Sequence, residues 1–285
     1  MAIASPIRQL VGHGAGVKAA VTHTFPREAR SANQAARRLD YAEYTQGFTT
    51  LPTAKLLQVP GLQPSLDAAL AAAHRSAGGV RAADPQAAFD RHVLSYLDGP
   101  PSAADELDEV QLMVGLQQKR TDLDERIAGY YANGPAMDWF DAQAAQVTKG
   151  LSVADAARAQ TLLDEAFDTG HATVGIAKQK WERLRPYQAS SELQPAAYKP
   201  ADGGSFPSGH TSNAFAVAHV LGALNPAGAA HYLQVANTMA HSRAVAGAHF
   251  PSDTVAGAFI GTRAGIRAVE RNADFIAMIR AHNAA

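Results

Sequence analysis

Apolar residues along the chain recur mainly at the three- and four-residue spacing of a helix, whereas the alternation of a half-buried strand is scarce. This pattern predicts helices over residues 64–77, 86–97, 103–131, 152–184, 208–224, 227–244 and 251–283. We expect the fourth to be one long helix or two helices broken near Gly170, and the last to break near Asn272. The predicted fold class is therefore all-α.

Glycine and proline mark the ends of the predicted helices: Gly78-Gly79 follows the first, and Arg185-Pro186 closes the fourth. Residues 1–60 lack regular helical spacing and contain scattered Gly, Pro and Thr, so we interpret them as an irregular arm packed on the helices. No fixed-period repeat or low-complexity linker divides the chain. The sequence therefore predicts a single helical domain over residues 1–285.

The composition excludes several classes of function. Hydrophobic residues make up 47% of the 285 residues and charged residues 18%, which is enough to bury a large core. Lys plus Arg (25) nearly balance Asp plus Glu (26), and this argues against binding nucleic acid or anionic lipid through bulk charge. The chain has no cysteine, so a disulfide, a thiolate zinc site and a thiol nucleophile are excluded. The 11 histidines are the side chains that titrate near neutral pH.

The most apolar stretches, residues 214–224 and 254–266, are shorter than the ~18 to 20 residues that a membrane-spanning helix needs. His219 interrupts the first and Arg263 the second. No membrane span is predicted, and residues 1–21 lack the continuous apolar region of a signal peptide. We therefore expect a soluble protein that is either cytoplasmic or given in its mature form.

Two other patterns resemble functional motifs only superficially. Residues 12–18 do not fit the spacing of a phosphate-binding loop and are interpreted as a flexible glycine-rich turn. The acidic clusters at 105–109 and 122–125 lack the glycine-centred loop of a calcium site, so we interpret them as solvated helix surfaces. The H-E-x-x-H pattern of a zinc protease does not occur, and no metal site is predicted.

Three blocks in the C-terminal half carry the candidate chemistry. The first is Lys178 followed after six residues by Arg185-Pro186, the second is P-S-G-H at 207–210, and the third combines Ser242-Arg243, His249 and Asp253. Each block alone has an ordinary explanation, namely exposed charges two helical turns apart, a helix N-cap, or an acid at the start of a helix. Together they describe an oxyanion site that contains a nucleophile.

The cations Lys178, Arg185 and Arg243 supply donors for the non-bridging oxygens of a phosphoryl group. Ser208 and Gly209 begin a predicted helix, where free backbone N–H groups and the helix dipole favour an anion.

The two histidines have separable roles in such a site. Asp253 can hold one ring nitrogen of His249 as N–H and leave the other free to attack, while His210 can protonate the departing oxygen. Because His249 must be neutral while His210 is protonated, we expect a bell-shaped pH profile with an acidic optimum.

The pattern K-x6-R-P, P-S-G-H and S-R-x5-H-x3-D resembles the signature of the type 2 phosphatidic acid phosphatase (PAP2) superfamily, which includes bacterial class A non-specific acid phosphatases and vanadium-dependent haloperoxidases. All eleven signature residues are present in order, and the resemblance covers residues 178–257. It implies a helical bundle of the acid phosphatase–vanadium haloperoxidase type. It also implies that His249 forms a phosphohistidine, that Asp253 orients it, and that His210 acts as general acid and later activates water. The implied phosphate-binding residues are Lys178, Arg185, Ser208, Gly209 and Arg243.

The soluble phosphatase branch fits this chain best. Membrane-embedded members carry several spanning helices, and haloperoxidases usually have much longer chains. The resemblance therefore implies a metal-independent phosphatase that hydrolyses phosphate monoesters. Two alternatives stay open: a vanadium-dependent haloperoxidase with the same pocket, and a phosphatase specific for one phosphorylated or diphosphate metabolite.

The same resemblance implies no cofactor. Vanadate is expected to occupy the phosphate pocket as an inhibitor, or as the cofactor of a haloperoxidase. The expected partner is a small phosphorylated substrate, and a homo-oligomer is compatible with the sequence. Relatives in the soluble branch are usually periplasmic, so the periplasm is the favoured compartment.

Overall fold

The computed structural model describes residues 56–133, 138–196 and 203–284, and within these residues every regular element is a helix. The α-helices are α1 (Leu62–Arg75), α2 (Gln86–Leu94), α3 (Ala103–Lys119), α4 (Asp122–Asn133), α5 (Asp141–Val147), α6 (Val153–Trp181), α7 (Pro186–Ala189), α8 (Gly209–Leu224), α9 (Ala229–Val245), α10 (Pro251–Arg271) and α11 (Ala273–Ala284). Short 3₁₀ turns lie at Ala77–Gly79, Asp138–Phe140 and Pro226–Gly228. The prediction of an all-α protein is confirmed.

Helices α8 and α10 form the centre of the bundle. Both are buried over most of their length, because α6 and α9 pack against α8 while α1 and α6 pack against α10. A helix that is apolar nearly all round needs neighbours on every side, and α8 meets this condition. No helix in the described part of the chain has the length and apolar character to cross a membrane.

Glycines spaced four residues apart bring α10 against the backbone of α8. A Cβ atom on Gly261 would lie 2.0 Å from the Ser212 carbonyl oxygen, and one on Gly257 would lie 2.4 Å from the Ser208 carbonyl oxygen. Only a residue without a side chain allows so close an approach. The close packing aligns the N-termini of the two helices, and the Ser208 N–H donates to the Asp253 carbonyl oxygen at 2.8 Å.

Several predicted helices are confirmed with small changes at their ends. The helix predicted over 208–224 is α8, with Ser208 as its N-cap. The helix predicted over 251–283 does break at Asn272, which separates α10 from α11. Most of the predicted arm, and the glycine-rich turn at 12–18, lie outside the described residues.

The single helix predicted over 103–131 is wrong, because the chain breaks between α3 and α4. Arg120 is extended (φ −63°, ψ 131°), and Thr121 caps α4. The Thr121 Oγ1 accepts from the Asp124 N–H at 3.3 Å while the Asp124 carboxylate accepts from the Thr121 N–H at 2.8 Å. Asp124 is consequently buried, so its assignment to a solvated surface is also wrong. The apolar spacing continues across the break, which is why periodicity alone missed it.

Helix α6 runs unbroken through Gly170. A Cβ atom at this position would lie 3.0 Å from Ser212 Oγ and 3.5 Å from the Ala264 Cβ atom, so the glycine marks a close approach to α8 and α10. The helix ends earlier than predicted, at Trp181, because Glu182 adopts a left-handed conformation (φ 43°). The segment between α6 and α7 then carries Arg183 and Arg185 toward the N-termini of α8 and α10.

Candidate active site

The three sequence blocks meet where the N-termini of α8 and α10 lie side by side. Each predicted residue occupies an element end or a connecting segment there. Lys178 lies in the last turn of α6, Arg185 precedes α7, Ser208 caps α8, Gly209 and His210 begin α8, Arg243 lies in the last turn of α9, His249 precedes α10, and Asp253 lies in its first turn. The structure thus brings all of the predicted site residues to one end of the bundle.

His249 is buried, and its hydrogen bonds define its tautomer. Nδ1 lies 2.8 Å from the carbonyl oxygen of Ser205, which can only accept a hydrogen bond, so Nδ1 carries the proton. Nε2 therefore has the lone pair, and it lies 3.3 Å from Nη1 of Arg185. The free nitrogen of the imidazole thus faces a cation.

Asp253 lies beside His249 without making the short hydrogen bond that the sequence suggested. Its Oδ2 atom is 3.5 Å from Nδ1 of His249, beyond ordinary hydrogen-bond length. Oδ2 instead accepts from the Ser205 hydroxyl and, at 2.8 Å, from the Phe250 N–H. Asp253 therefore acts on the imidazole as a nearby negative charge, and it fixes the two residues that flank His249 in space.

The cations of the site stand close enough to perturb one another. Burial, followed by the charge of Arg185, lowers the pKa of Lys178 to about 7, and its Nζ donates to the carbonyl oxygens of Gly204 and Ser205. Burial and Arg185 also lower the pKa of Arg243, to about 9, so the guanidinium stays charged at neutral pH. A bound anion relieves such repulsion, and the free N–H groups in the first turn of α8 add further donors.

Residues 165–274 match the family model described as the PAP2 superfamily. This segment, which holds all three motif blocks, is similar to the PAP2 superfamily. An acid phosphatase of Zymomonas mobilis subsp. mobilis is 36% identical over 129 residues, which are 44% of this chain and 48% of that protein. A non-specific acid phosphatase of Providencia stuartii is 31% identical over 111 residues, which are 38% of this chain and 44% of that protein. The chain thus spans under half of the length of each relative, and the resemblance drawn from the three motif blocks is confirmed.

Both histidines of the motif blocks are uncharged at neutral pH. Burial lowers the pKa of His249 to about 3. Asp253 acts to raise this pKa, and the charges of Arg185 and Lys178 oppose that effect. Burial and then Arg243 bring the pKa of His210 well below its ordinary value, and the ring of His210 bonds to the Ala132 carbonyl. The protein groups alone give the neutral state expected for His249, whereas the proton expected on His210 requires a nearby negative charge.

The structure adds four residues to the motif blocks that the sequence interpretation missed: Ser205, Arg183, Glu106 and Glu109. Arg183 is buried and donates to Asp253 Oδ1 at 2.7 Å, to Glu106 at 2.9 Å and to Glu109 at 2.8 Å. The interpretation of Glu106 and Glu109 as solvated charges is therefore wrong, although Asp105 and Asp108 are exposed. One feature of the sequence could have indicated this role: Glu106 and Glu109 are three residues apart on α3, which places both carboxylates on one face of the helix.

Proposed function

We propose that this PAP2-like domain is a phosphatase that hydrolyses phosphate monoesters through a phosphohistidine on His249, with no metal ion in the reaction. The main support is the imidazole itself, which is buried, neutral and protonated on Nδ1, so that the lone pair lies on Nε2, where the long 3.3 Å contact with Arg185 Nη1 is one that an incoming phosphoryl group can replace. The names of the two acid phosphatase relatives agree with this proposal.

In the first step, the lone pair on Nε2 of His249 forms a bond to phosphorus while the bond from phosphorus to the ester oxygen breaks in line. The ester oxygen takes the electron pair, and a proton from His210 converts it to the alcohol. In the second step, a water oxygen attacks the phosphohistidine and gives its proton to His210. The N–P electron pair returns to Nε2, and inorganic phosphate leaves.

Residues that surround the phosphoryl group stabilise its negative charge in both steps. Lys178, Arg185 and Arg243 neutralise its non-bridging oxygens, and the first turn of α8 supplies backbone N–H groups. When Nε2 bonds to phosphorus, the imidazole ring becomes positive. The Asp253 carboxylate at 3.5 Å and the Ser205 carbonyl at 2.8 Å stabilise that ring charge.

The substrate supplies the charge that His210 needs. A phosphoryl anion between Arg243 and the first turn of α8 raises the pKa of His210 from its lowered value, because negative charge favours the imidazolium form. His210 thus takes up its proton together with the substrate. The bell-shaped pH profile expected from the sequence follows, with its basic limb set by His210 in the complex.

The direct test is hydrolysis of p-nitrophenyl phosphate between pH 4 and 9, with and without chelator. We expect chelator-insensitive hydrolysis and, after an alkaline quench during turnover, phosphate bound to the protein in an alkali-stable, acid-labile form. Loss of activity in chelator would contradict the metal-free mechanism. An inactive protein that oxidises halide when given vanadate and peroxide would favour the haloperoxidase alternative.

A second prediction concerns the binding of an anion whose own charge is constant. Tungstate does not titrate between pH 6.5 and 8.5, so its affinity reports the protein. Lys178 has a pKa of about 7, and a bound anion raises this pKa. The contribution of Lys178 to the affinity is therefore full below pH 7 and falls by up to about tenfold per pH unit above it, because binding then requires that Lys178 take up a proton.

Calorimetry in buffers with different ionisation enthalpies measures both the affinity and the proton uptake. The matched variant is Lys178→Met, which binds tungstate more weakly at pH 6.5 and loses the part of the pH dependence that Lys178 supplies, so that only proton uptake by His210 remains. An affinity of the unmodified protein that is constant or rises toward pH 8.5 would exclude a titrating Lys178 from the anion site.

The substrate class and the compartment rest on the resemblance to soluble phosphatases. A small phosphorylated molecule and a periplasmic location stay predictions, as does the oligomeric state. The motif residues are expected to contact only the phosphoryl group, so substrate selectivity belongs to residues outside them. A panel of monoesters and diphosphates assayed beside p-nitrophenyl phosphate separates a broad phosphatase from one that is specific for a single metabolite.

A further inference from the structure

Arg183 is a buried cation whose guanidinium contacts three of the four residues that follow His249. Nη1 donates to Ser252 Oγ at 2.8 Å and to Asp253 Oδ1 at 2.7 Å, and the guanidinium carbon lies 3.8 Å from the centre of the Phe250 ring. These residues form the start of α10, directly after His249. The position of the imidazole therefore depends on contacts that Arg183 makes.

The acidic face of α3 holds Arg183 from the opposite side. Glu109 accepts from Arg183 Nη2 at 2.8 Å, and its two carboxylate oxygens also accept from the Ser252 N–H at 2.7 Å and the Ser252 hydroxyl at 2.8 Å. Glu106 accepts from Arg183 Nε at 2.9 Å. Glu109 thus binds both Arg183 and Ser252, and Arg183 also binds Ser252. The three residues form a closed ring of charge-assisted hydrogen bonds.

The guanidinium has no role in binding the phosphoryl group in the mechanism above. Its donors point to carboxylates and a hydroxyl, and its charge is matched by Asp253, Glu106 and Glu109. A buried ion pair of this kind gives little net stability, because desolvation offsets most of the attraction. Its geometric effect is larger, since the rigid, planar guanidinium directs its three nitrogens to three different carboxylates and so fixes their relative positions.

We propose that Arg183, held by Glu106 and Glu109, is a positioning residue that fixes the first turn of α10 and thereby aims Nε2 of His249 at the phosphoryl group. This inference rests on the proposed function, because it takes His249 to be the nucleophile. It assigns a role in the reaction to α3, a helix that contributes none of the motif residues.

The same contacts set the electrostatic surroundings of His249. Arg183 offsets part of the negative charge of Asp253, so its removal strengthens the field of Asp253 at Nδ1 and raises the pKa of His249. The other charged or titratable groups here are Lys178, Arg185 and His210, which face the imidazole, and Glu109, which faces Asp253. Arg243 faces His210, and Glu106 binds Arg183. None of these side chains changes in Arg183→Met, so the variant isolates the guanidinium.

The experiment compares Arg183→Met with Arg267→Met. Arg267 is also buried on the bundle, packs on the Phe89 ring, and donates to Gln86 and to the carbonyl oxygens of Ala82 and Asp84. It lies 14 residues after Asp253 along α10, which is roughly 21 Å along the helix axis. Both variants lose a buried guanidinium, but only Arg183→Met loses one that contacts the residues after His249.

We expect Arg183→Met to lower kcat for p-nitrophenyl phosphate by about 10- to 100-fold with KM within about twofold of the original, because the phosphate-binding cations remain. Arg183→Lys keeps a charge near Asp253 without the planar fork and recovers part of the loss. Arg267→Met keeps the original kcat at temperatures well below its unfolding midpoint. Equal losses in the two methionine variants would show a general effect of a destabilised bundle and overturn the positioning role.

A second readout is independent of hydrolysis. In protein labelled with ¹⁵N-histidine, the ring nitrogens of His249 report the tautomer and the protonation state by NMR. The unmodified protein keeps the neutral Nδ1–H form from pH 8 to pH 4, whereas in Arg183→Met the ring titrates with a pKa that is higher by about one unit or more. An unmodified protein that hydrolyses no monoester contradicts the proposed function. An unchanged His249 spectrum in Arg183→Met contradicts the positioning role.

Glu109→Gln provides the same test if Arg183→Met fails to fold. Glutamine has one acceptor oxygen where the carboxylate has two, so it can accept from the Ser252 N–H or from Arg183 but not from both. We expect a loss of about fivefold in kcat at unchanged KM, since one bond of the ring is lost while Arg183 keeps its bonds to Glu106 and Asp253. If the Glu109→Gln protein folded and kept the kcat of the unmodified protein, the proposal would also be overturned.

Discussion

His249→Ala is expected to lower kcat/KM for p-nitrophenyl phosphate by about 10⁴-fold or more, while the protein remains folded. The substitution removes the atom that forms the covalent intermediate, so no alternative group can take over the first step. Lys178, Arg185 and Arg243 remain, and phosphate or tungstate should still bind. The alkali-stable phosphoprotein detected during turnover should disappear together with the activity.

The matched control is His241→Ala. His241 is also buried and also makes one hydrogen bond to the backbone, in which its Nδ1 accepts from the Val59 N–H at 3.0 Å. It lies two residues before Arg243 on α9, so the two side chains point to opposite faces of that helix. Both variants lose a buried imidazole, but only His249→Ala should lose activity. Retention of a tenth or more of the original kcat/KM in His249→Ala would exclude this residue as the nucleophile.

Gly261→Ala is expected to lower the free energy of unfolding by about 3 kcal/mol or more, a large effect for the addition of one methyl group. The new Cβ atom would lie 2.0 Å from the carbonyl oxygen of Ser212 on α8. A backbone carbonyl within a helix cannot rotate away as a flexible side chain can, so the two central helices must separate. Denaturant unfolding followed by circular dichroism measures the change.

Gly175→Ala is the control for this substitution. Gly175 lies inside α6, and a Cβ atom there would meet nothing within 4 Å. The added methyl group removes backbone freedom from the unfolded chain, so we expect this variant to gain about 0.5 to 1 kcal/mol. If both alanine variants had the same stability, the close approach of α8 and α10 would not be what requires glycine at position 261.

Separation of α8 and α10 should also affect the candidate site. The Ser208 N–H donates to the Asp253 carbonyl oxygen across the interface of these helices, at the end where the motif residues meet. Gly257 lies one turn closer to this contact than Gly261 does, and a Cβ atom added at Gly257 would clash with the Ser208 carbonyl oxygen. The glycine spacing therefore links the stability of the bundle to the geometry of the anion site.

The sequence by itself determined the helical class and the residue types of the candidate site. Periodic apolar positions located most of the helices, because a helix buries a continuous stripe at that spacing regardless of its neighbours. The motif blocks predicted Lys178, Arg185, His210, His249 and Asp253 as site residues, because cations, histidines and a carboxylate are groups that phosphoryl transfer uses. Local capping was also readable in principle: Thr121 followed after three residues by Asp124 signals a helix start that periodicity overlooked.

Only the tertiary structure decided which partners these residues have. The hydrogen bond that sets the tautomer of His249 goes to a backbone carbonyl, that of Ser205, and every residue carries such a group. Arg183 meets Glu109 across 74 residues of chain, and only the packing of α3 on the site tells this glutamate apart from its exposed neighbour Asp108. Burial, which lowers the pKa of His249 and Lys178, likewise depends on all of the surrounding helices at once. Residue type is a local property of the chain, whereas the partner and the dielectric environment of a side chain are properties of the whole fold.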